Sequence, residues 1–141
     1  MSVLVILEAG HRMAAEAAAA GRQFAQALGV PLIAATIASE HAYTADGFTA
    51  AYEAHVKNVN PKLVVFAHTY QTRDYAPKLA TRFGKVLIGD VISARVSSDS
   101  LIFVRQLFQG KFNADVVCTC ALNGPGNFCL GTPTCCPLPM P

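Results

Sequence analysis

Three times within the first 84 residues, a short apolar run gives way to a longer stretch with helical period. That alternation constrains the fold more than any composition figure. Ser2 to Glu8 (SVLVILE) is a short run, apolar from Val3 to Leu7 and bounded by Gly10, the pattern of a strand buried on both faces of a parallel sheet. His11 to Leu28 then carries Met13, Ala17, Ala20, Phe24 and Leu28 on one stripe, with Arg12, Glu16, Gln23 and Gln26 largely off it. Gly29 stands where a helix C-terminal glycine belongs, and Pro31 forbids continuation. Six of the seven residues from Ala14 to Ala20 are alanine, which lets this helix lie close on a sheet.

The second unit pairs a strand over Pro31–Ala38 with a helix over Asp46–Val59, whose stripe is Phe48, Tyr52, Val56 and Val59. Pro61 ends it. The third pairs Leu63–Ala67 with a helix over Asp74–Phe83, for which Asp74 is the expected N-cap, Pro77 falls in the first turn and Gly84 is the stop. Short connections between such units predict an α/β fold, a three-layer α/β/α arrangement with a mostly parallel sheet. After Gly84 the pattern changes. Val86–Ile88, Val91–Val96, Leu101–Phe108 and Phe112–Val117 are strand-like and are separated by turn chemistry at Ser97–Ser100 and Gln109–Lys111, so a C-terminal antiparallel meander is expected.

Composition divides the chain in two. All five cysteines and five of the eight prolines lie in the last 24 residues, and every charged residue and histidine lies before Cys118. Residues 1–117 therefore read as one domain and 118–141 as an irregular Cys/Pro-rich tail of different character. With 141 residues there is room for one ordinary core. Eleven Lys and Arg against nine Asp and Glu give neither a basic field for nucleic acid nor an acidic tail. No apolar stretch is long and unbroken enough to insert in a membrane, and Val3–Leu7 is too short for a signal peptide. A reducing compartment is the expectation, and it disfavours disulfides.

Ligands of open α/β sheets bind beyond the carboxyl ends of the strands. The first such loop, Glu8-Ala9-Gly10-His11-Arg12, has one glycine and matches neither the dinucleotide fingerprint nor the P-loop. His11 and Arg12 could still meet an anion at a helix start, against the plainer reading of a solvated helix N-terminus. The third loop, His68 to Asp74, is the richest polar cluster. His68 with Asp74 suggests acid–base work, but no Ser or Cys nucleophile stands in a recognised context; capping by Asp74, with Arg73 as a surface or partner contact, explains the cluster more simply. His41 and His55 are lone imidazoles. The cysteine spacings supply no zinc knuckle, so no metal site and no catalytic constellation are expected.

From the third loop onward the chain resembles the N-terminal domain of the electron transfer flavoprotein alpha subunit. That family shows a loop ending Gly-Arg/Lys-Asp/Asn, then x-x-Pro-Arg/Lys-x-Ala, then a helix ending in Gly. The counterpart here is Thr72-Arg73-Asp74-Tyr75-Ala76-Pro77-Lys78-Leu79-Ala80, then Gly84, with Thr72 in place of the Gly. The following Ser/Thr-Asp-Val appears as Gly89-Asp90-Val91. Phe-x-Arg-Pro-x-Tyr-x-Gly appears as Phe103-Val104-Arg105-Gln106-Leu107-Phe108-Gln109-Gly110, with Gln106 for Pro and Phe108 for Tyr. Ser2 to Glu8 also looks like the family's first strand.

The resemblance covers about residues 2–117 and implies a Rossmann-like sheet of the adenine-nucleotide-hydrolase-like kind. It also implies an alpha–beta heterodimer that holds one FAD and carries electrons from acyl-CoA and related dehydrogenases, as in fatty acid β-oxidation, to a quinone reductase. By the same resemblance this domain supports the beta subunit, the FAD belongs to a flavin domain beyond it, and no flavin is expected on this chain alone. Arg73, Asp74, Arg105, Gly110 and Lys111 are the candidate partner interface. The sequence leaves the family pattern after about Val117, as a truncation or frame shift would make it do. The expected location is the cytoplasm of a bacterium or the mitochondrial matrix of a eukaryote. The alternative is a stand-alone nucleotide-binding domain of universal-stress-protein type, against which the late glycine-rich phosphate loop is missing.

Overall fold

The computed structural model describes residues 1–37, 42–97 and 100–118, and the backbone of 129–133. The elements follow in the order β1 (Val3–Leu7), α1 (Met13–Leu28), β2 (Leu32–Thr36), α2 (Ala45–Val59), β3 (Leu63–Phe66), α3 (Tyr70–Phe83), β4 (Leu87–Ser97), β5 (Ser100–Leu107), β6 (Phe112–Cys118) and β7 (Cys129–Pro133). All seven strands form one sheet in the order β2-β1-β3-β7-β4-β5-β6. The β2-β1-β3-β7-β4 part is parallel and β4-β5-β6 is an antiparallel meander, so the predicted α/β class with a meander holds.

Strand pleat sorts the core into two layers. Val3, Val5, Leu63 and Val65 point to one face, where α1 covers them with Met13, Ala17, Ala20 and Phe24. Leu4, Ile6, Val64 and Phe66 point to the other, under Tyr52 and Val56 of α2 and Tyr75 and Leu79 of α3. These β1 and β3 side chains are at most 1% exposed, so both strands are buried on both faces, as their unbroken apolar runs require. The α1 layer extends onto the meander, where the rings of Phe24 and Phe103 lie 5.8 Å apart. Gly29 ends α1 in the left-handed conformation with φ 63°, a geometry glycine adopts without a Cβ penalty.

Three expectations need correction. Asp74 does not cap the third helix. The helix begins a turn earlier, where the Thr69 hydroxyl accepts from the Thr72 amide at 3.2 Å, and Pro77 sits inside it. Pro77 lacks the N–H that would bond the Arg73 carbonyl, but both residues are on the solvent face, where that carbonyl is open to solvent. Second, the two runs after Gly84 form a single strand, β4, bent where Asp90 takes φ 55° and where its register shifts against both neighbours.

The third correction is the tail, which is not irregular throughout. Cys129–Pro133 pairs in parallel with β3, Leu63 opposite Cys129, and with β4, Leu87 opposite Leu130. This segment has no period of its own. Its ladder comes from two waiting strand edges, and Pro133, opposite Val91 at the strand's end, falls where a missing N–H is tolerated. Cys118, against the expectation of reduced thiols, is disulfide-bonded. His41 and the centre of the Ser97–Ser100 turn lie outside the described residues.

Candidate functional site

The order β2-β1-β3 makes β1 and β3 neighbours whose following helices go to opposite faces, α1 to one and α3 to the other. A crevice must open between their two loops, and it is here that open α/β sheets bind ligands. A cleft of about 330 Å3 lies at this point, lined by His11, Arg12, Met13, His68, Thr69, Tyr70 and Arg73. Both helix N-termini contribute, so peptide dipoles and two guanidinium-bearing residues share one small volume with two imidazoles. No carboxylate is among its described lining residues.

Local bonding fixes the imidazoles differently. His11 Nδ1 accepts from the Met13 amide at 3.1 Å and serves the first turn of α1. His68 Nε2 lies 3.9 Å from Asp90, and its Nδ1 is buried without a hydrogen-bond partner. Burial, and after it the neighbouring Arg73, holds His68 below its ordinary pKa, against the opposing pull of Asp90. The crevice thus presents neutral His68 beside fixed positive charge. Such a set can hold a small anion. No Ser or Cys is among the crevice's described lining residues, and no group of three metal-ligating side chains occurs among the described residues.

The structure separates the five candidate interface residues into four places. Arg73 lines the crevice. Asp74, one residue on, accepts a hydrogen bond from the Tyr43 hydroxyl at 2.9 Å and does not pair with His68. Arg105 lies on β5 with a terminal guanidinium nitrogen 3.9 Å from Asp90, so Asp90 stands between His68 and Arg105. Gly110 and Lys111 form the β5–β6 turn, where Phe108 and Phe112 are 73% and 64% exposed with ring centroids 6.0 Å apart. That exposed aromatic pair was not singled out from the sequence, although two phenylalanines flanking a Gln-Gly-Lys turn were the available signal. Asp90's positive φ had no signal at all.

The family model of the electron transfer flavoprotein domain matches residues 40–122, more than half of the chain. The chain belongs to this family. It is 36% identical over 77 residues to electron transfer flavoprotein subunit alpha of Bacillus subtilis (strain 168), a match covering 55% of this chain and 24% of that protein. With the alpha subunit of Syntrophomonas wolfei subsp. wolfei the identity is 34% over 74 residues, covering 52% of this chain and 23% of that protein. This electron transfer flavoprotein domain is thus of the alpha-subunit type and matches about a quarter of the length of those relatives. Among solved structures it is similar to solute-binding proteins of an ABC transporter system from Aeropyrum pernix K1, with TM-score 0.49 and 21% identity over 71% of this chain and 26% of that one.

A flavin is what the family name brings to mind, and the residues present can be tested against one. The clefts described have volumes of about 240, 330 and 460 Å3 and distinct linings. An FAD exceeds the drug-sized ligands that fill pockets of about 300–1,000 Å3. None of these clefts can bury it.

Proposed function

We propose that this electron transfer flavoprotein domain is the N-terminal part of an alpha subunit and supports a beta subunit in a heterodimer. That heterodimer holds FAD and moves electrons from acyl-CoA-type dehydrogenases to a quinone reductase, working in the bacterial cytoplasm or the mitochondrial matrix. On this reading the domain is a scaffold: it carries no catalytic group and borrows its flavin from the rest of the complex.

The observation that carries the reading is the β5–β6 tip, within the region matched by the family. Two exposed phenylalanines flank Gly110 and Lys111 at the end of the β5–β6 hairpin. Exposed aromatic rings beside a cation are the usual makings of a protein contact. Co-expression with an electron transfer flavoprotein beta subunit tests it. The unaltered chain should co-purify, and a Phe108→Ser, Phe112→Ser double variant should lose association by about tenfold or more while its circular dichroism stays unchanged. Equal recovery of the beta subunit with both proteins would remove the tip from the interface, and recovery with neither would refute the scaffold role.

A further inference from the structure

On the α2/α3 side of the sheet, apart from the basic crevice, lies a second cavity of about 240 Å3 whose character is opposite. Its walls include Glu8, at the end of β1, and the rings of Tyr43, Phe48, Tyr52 and Tyr75. No Lys or Arg is among the described lining residues. Glu8 Oε2 is buried and has no hydrogen-bond partner. An ionised carboxylate only accepts, so the group missing at this atom is a donor. Leaving such an oxygen unmet is costly.

The tyrosine hydroxyls have other engagements. Tyr43 donates to Asp74, Tyr75 pairs with Thr72 at 3.4 Å, Tyr52 accepts from the Ile37 backbone, and none of them bonds Glu8 Oε2. Burial first, and the Glu8 charge as a lesser contribution, raise all three hydroxyl pKa values, to about 12 at Tyr43 and Tyr52. All three therefore feel the Glu8 field. The rings form one continuous cluster, with centroids 4.8 Å apart for Tyr43–Phe48, 6.0 Å for Phe48–Tyr52 and 5.2 Å for Tyr52–Tyr75. Aromatic faces are electronegative and attract cations.

A buried acceptor, aromatic walls and a net negative lining select a ligand that is cationic, donates hydrogen bonds and carries a short apolar body. We propose that this cavity binds a small primary alkylammonium group, whose N–H donates to Glu8 Oε2 and whose alkyl chain lies against Phe48 and Tyr52. The volume falls below the range that holds drug-sized molecules, so nucleotides are excluded. The same chemistry has two sources, a free aliphatic amine or a lysine side chain from another protein.

The chain has no tryptophan, and three of its four tyrosines line the cavity, so tyrosine emission reports on it directly. The full chain is titrated at constant ionic strength with n-butylammonium chloride and with n-butanol, which has the same tail and a donor but no charge. The expected result is a saturable change with n-butylammonium, n-butanol binding about tenfold or more weaker, and a loss of about tenfold for n-butylammonium alone in Glu8→Gln. Phe48→Leu should weaken n-butylammonium severalfold. If Glu8→Gln fails to fold by circular dichroism, Glu8→Asp, which keeps the charge but withdraws it by one methylene, should still weaken the amine and not the alcohol. Nα-acetyl-lysine amide distinguishes the sources: binding comparable to n-butylammonium admits a lysine side chain, and its failure beside n-butylammonium binding restricts the site to free amines. Equal binding of amine and alcohol, indifference to the folded Glu8 variant, or no saturation below roughly 100 mM would each overturn the proposal.

Discussion

Gly21 is a position where one missing methyl group decides how α1 meets the sheet. A Cβ built there comes 2.0 Å from Val5 Cγ2 and 3.2 Å from Leu32 Cδ1, and Val5 is a stiff, wholly buried strand residue. Gly21→Ala should therefore destabilise the domain by up to about 2 kcal/mol net. Overpacking costs roughly 1–3 kcal/mol and offsets the gain of up to about 1 kcal/mol in helix propensity. Thermal unfolding followed by circular dichroism checks this, and a variant more stable than the parent would contradict it. His68 offers a second residue-scale test. Burial and Arg73 hold its folded pKa below the ordinary value near 6.5, while the unfolded chain titrates at that ordinary value. Its stabilising contribution is thus complete above about pH 7 and declines as pH falls below the unfolded value toward the folded one, where the unfolded state binds the extra proton. Proton NMR should find the His68 midpoint depressed. Arg73→Gln should raise that midpoint, and Asp90→Asn, which removes the opposing carboxylate, should lower it further.

Element by element, legibility followed how much of each element's stability is local. The α1 stripe Met13, Ala17, Ala20 and Phe24 is buried as its period demands, and β1 and β3 announce themselves because a doubly covered strand cannot accommodate a polar residue. The start of α3 was harder to read. Thr69 and Asp74 are both good N-caps, and Pro77 made the later one look better, but an exposed proline within a packed helix costs less than leaving Tyr70–Arg73 outside it. The switch-point crevice could be anticipated from β–α alternation, whereas the acidic aromatic cavity depends on α2 and α3 packing side by side and has no linear signature. β7 was invisible because its pairing is wholly non-local. A residue-by-residue reading of 118–141 makes its removal harmless. The sheet order makes it severe, since among the described residues β7 is the strand that lies between β3 and β4 and pairs with both. Truncation after Cys118 should lower the thermal midpoint by more than about 8 °C, beyond what 1 kcal/mol accounts for in a domain of this size, or abolish a cooperative transition. An unchanged midpoint would mean that the two half-sheets stand without their connector.

The whole molecule is a sheet with two different surroundings. Its parallel half is sandwiched between helices, while its meander is covered by α1 on one face and ends in an open turn carrying Phe108 and Phe112. No helix among the described residues is long and apolar enough to cross a membrane. With the described clefts each too small for an FAD, the purified chain should be colourless, with no flavin absorbance near 450 nm after gel filtration. Stoichiometric yellow protein would show that this domain holds flavin in its own right.

The place of β7 also bears on the order in which the chain is made. Synthesis runs from the N-terminus, so β1-β3 with its helices and the β4-β5-β6 meander all leave the ribosome before Cys129 does. Through that interval the edges of β3 and β4 that β7 occupies in the finished sheet lack that partner, each a row of unpaired N–H and C=O groups. The nascent domain is then two adhesive half-sheets waiting for five residues. A pause in translation before residue 133 would prolong that exposure.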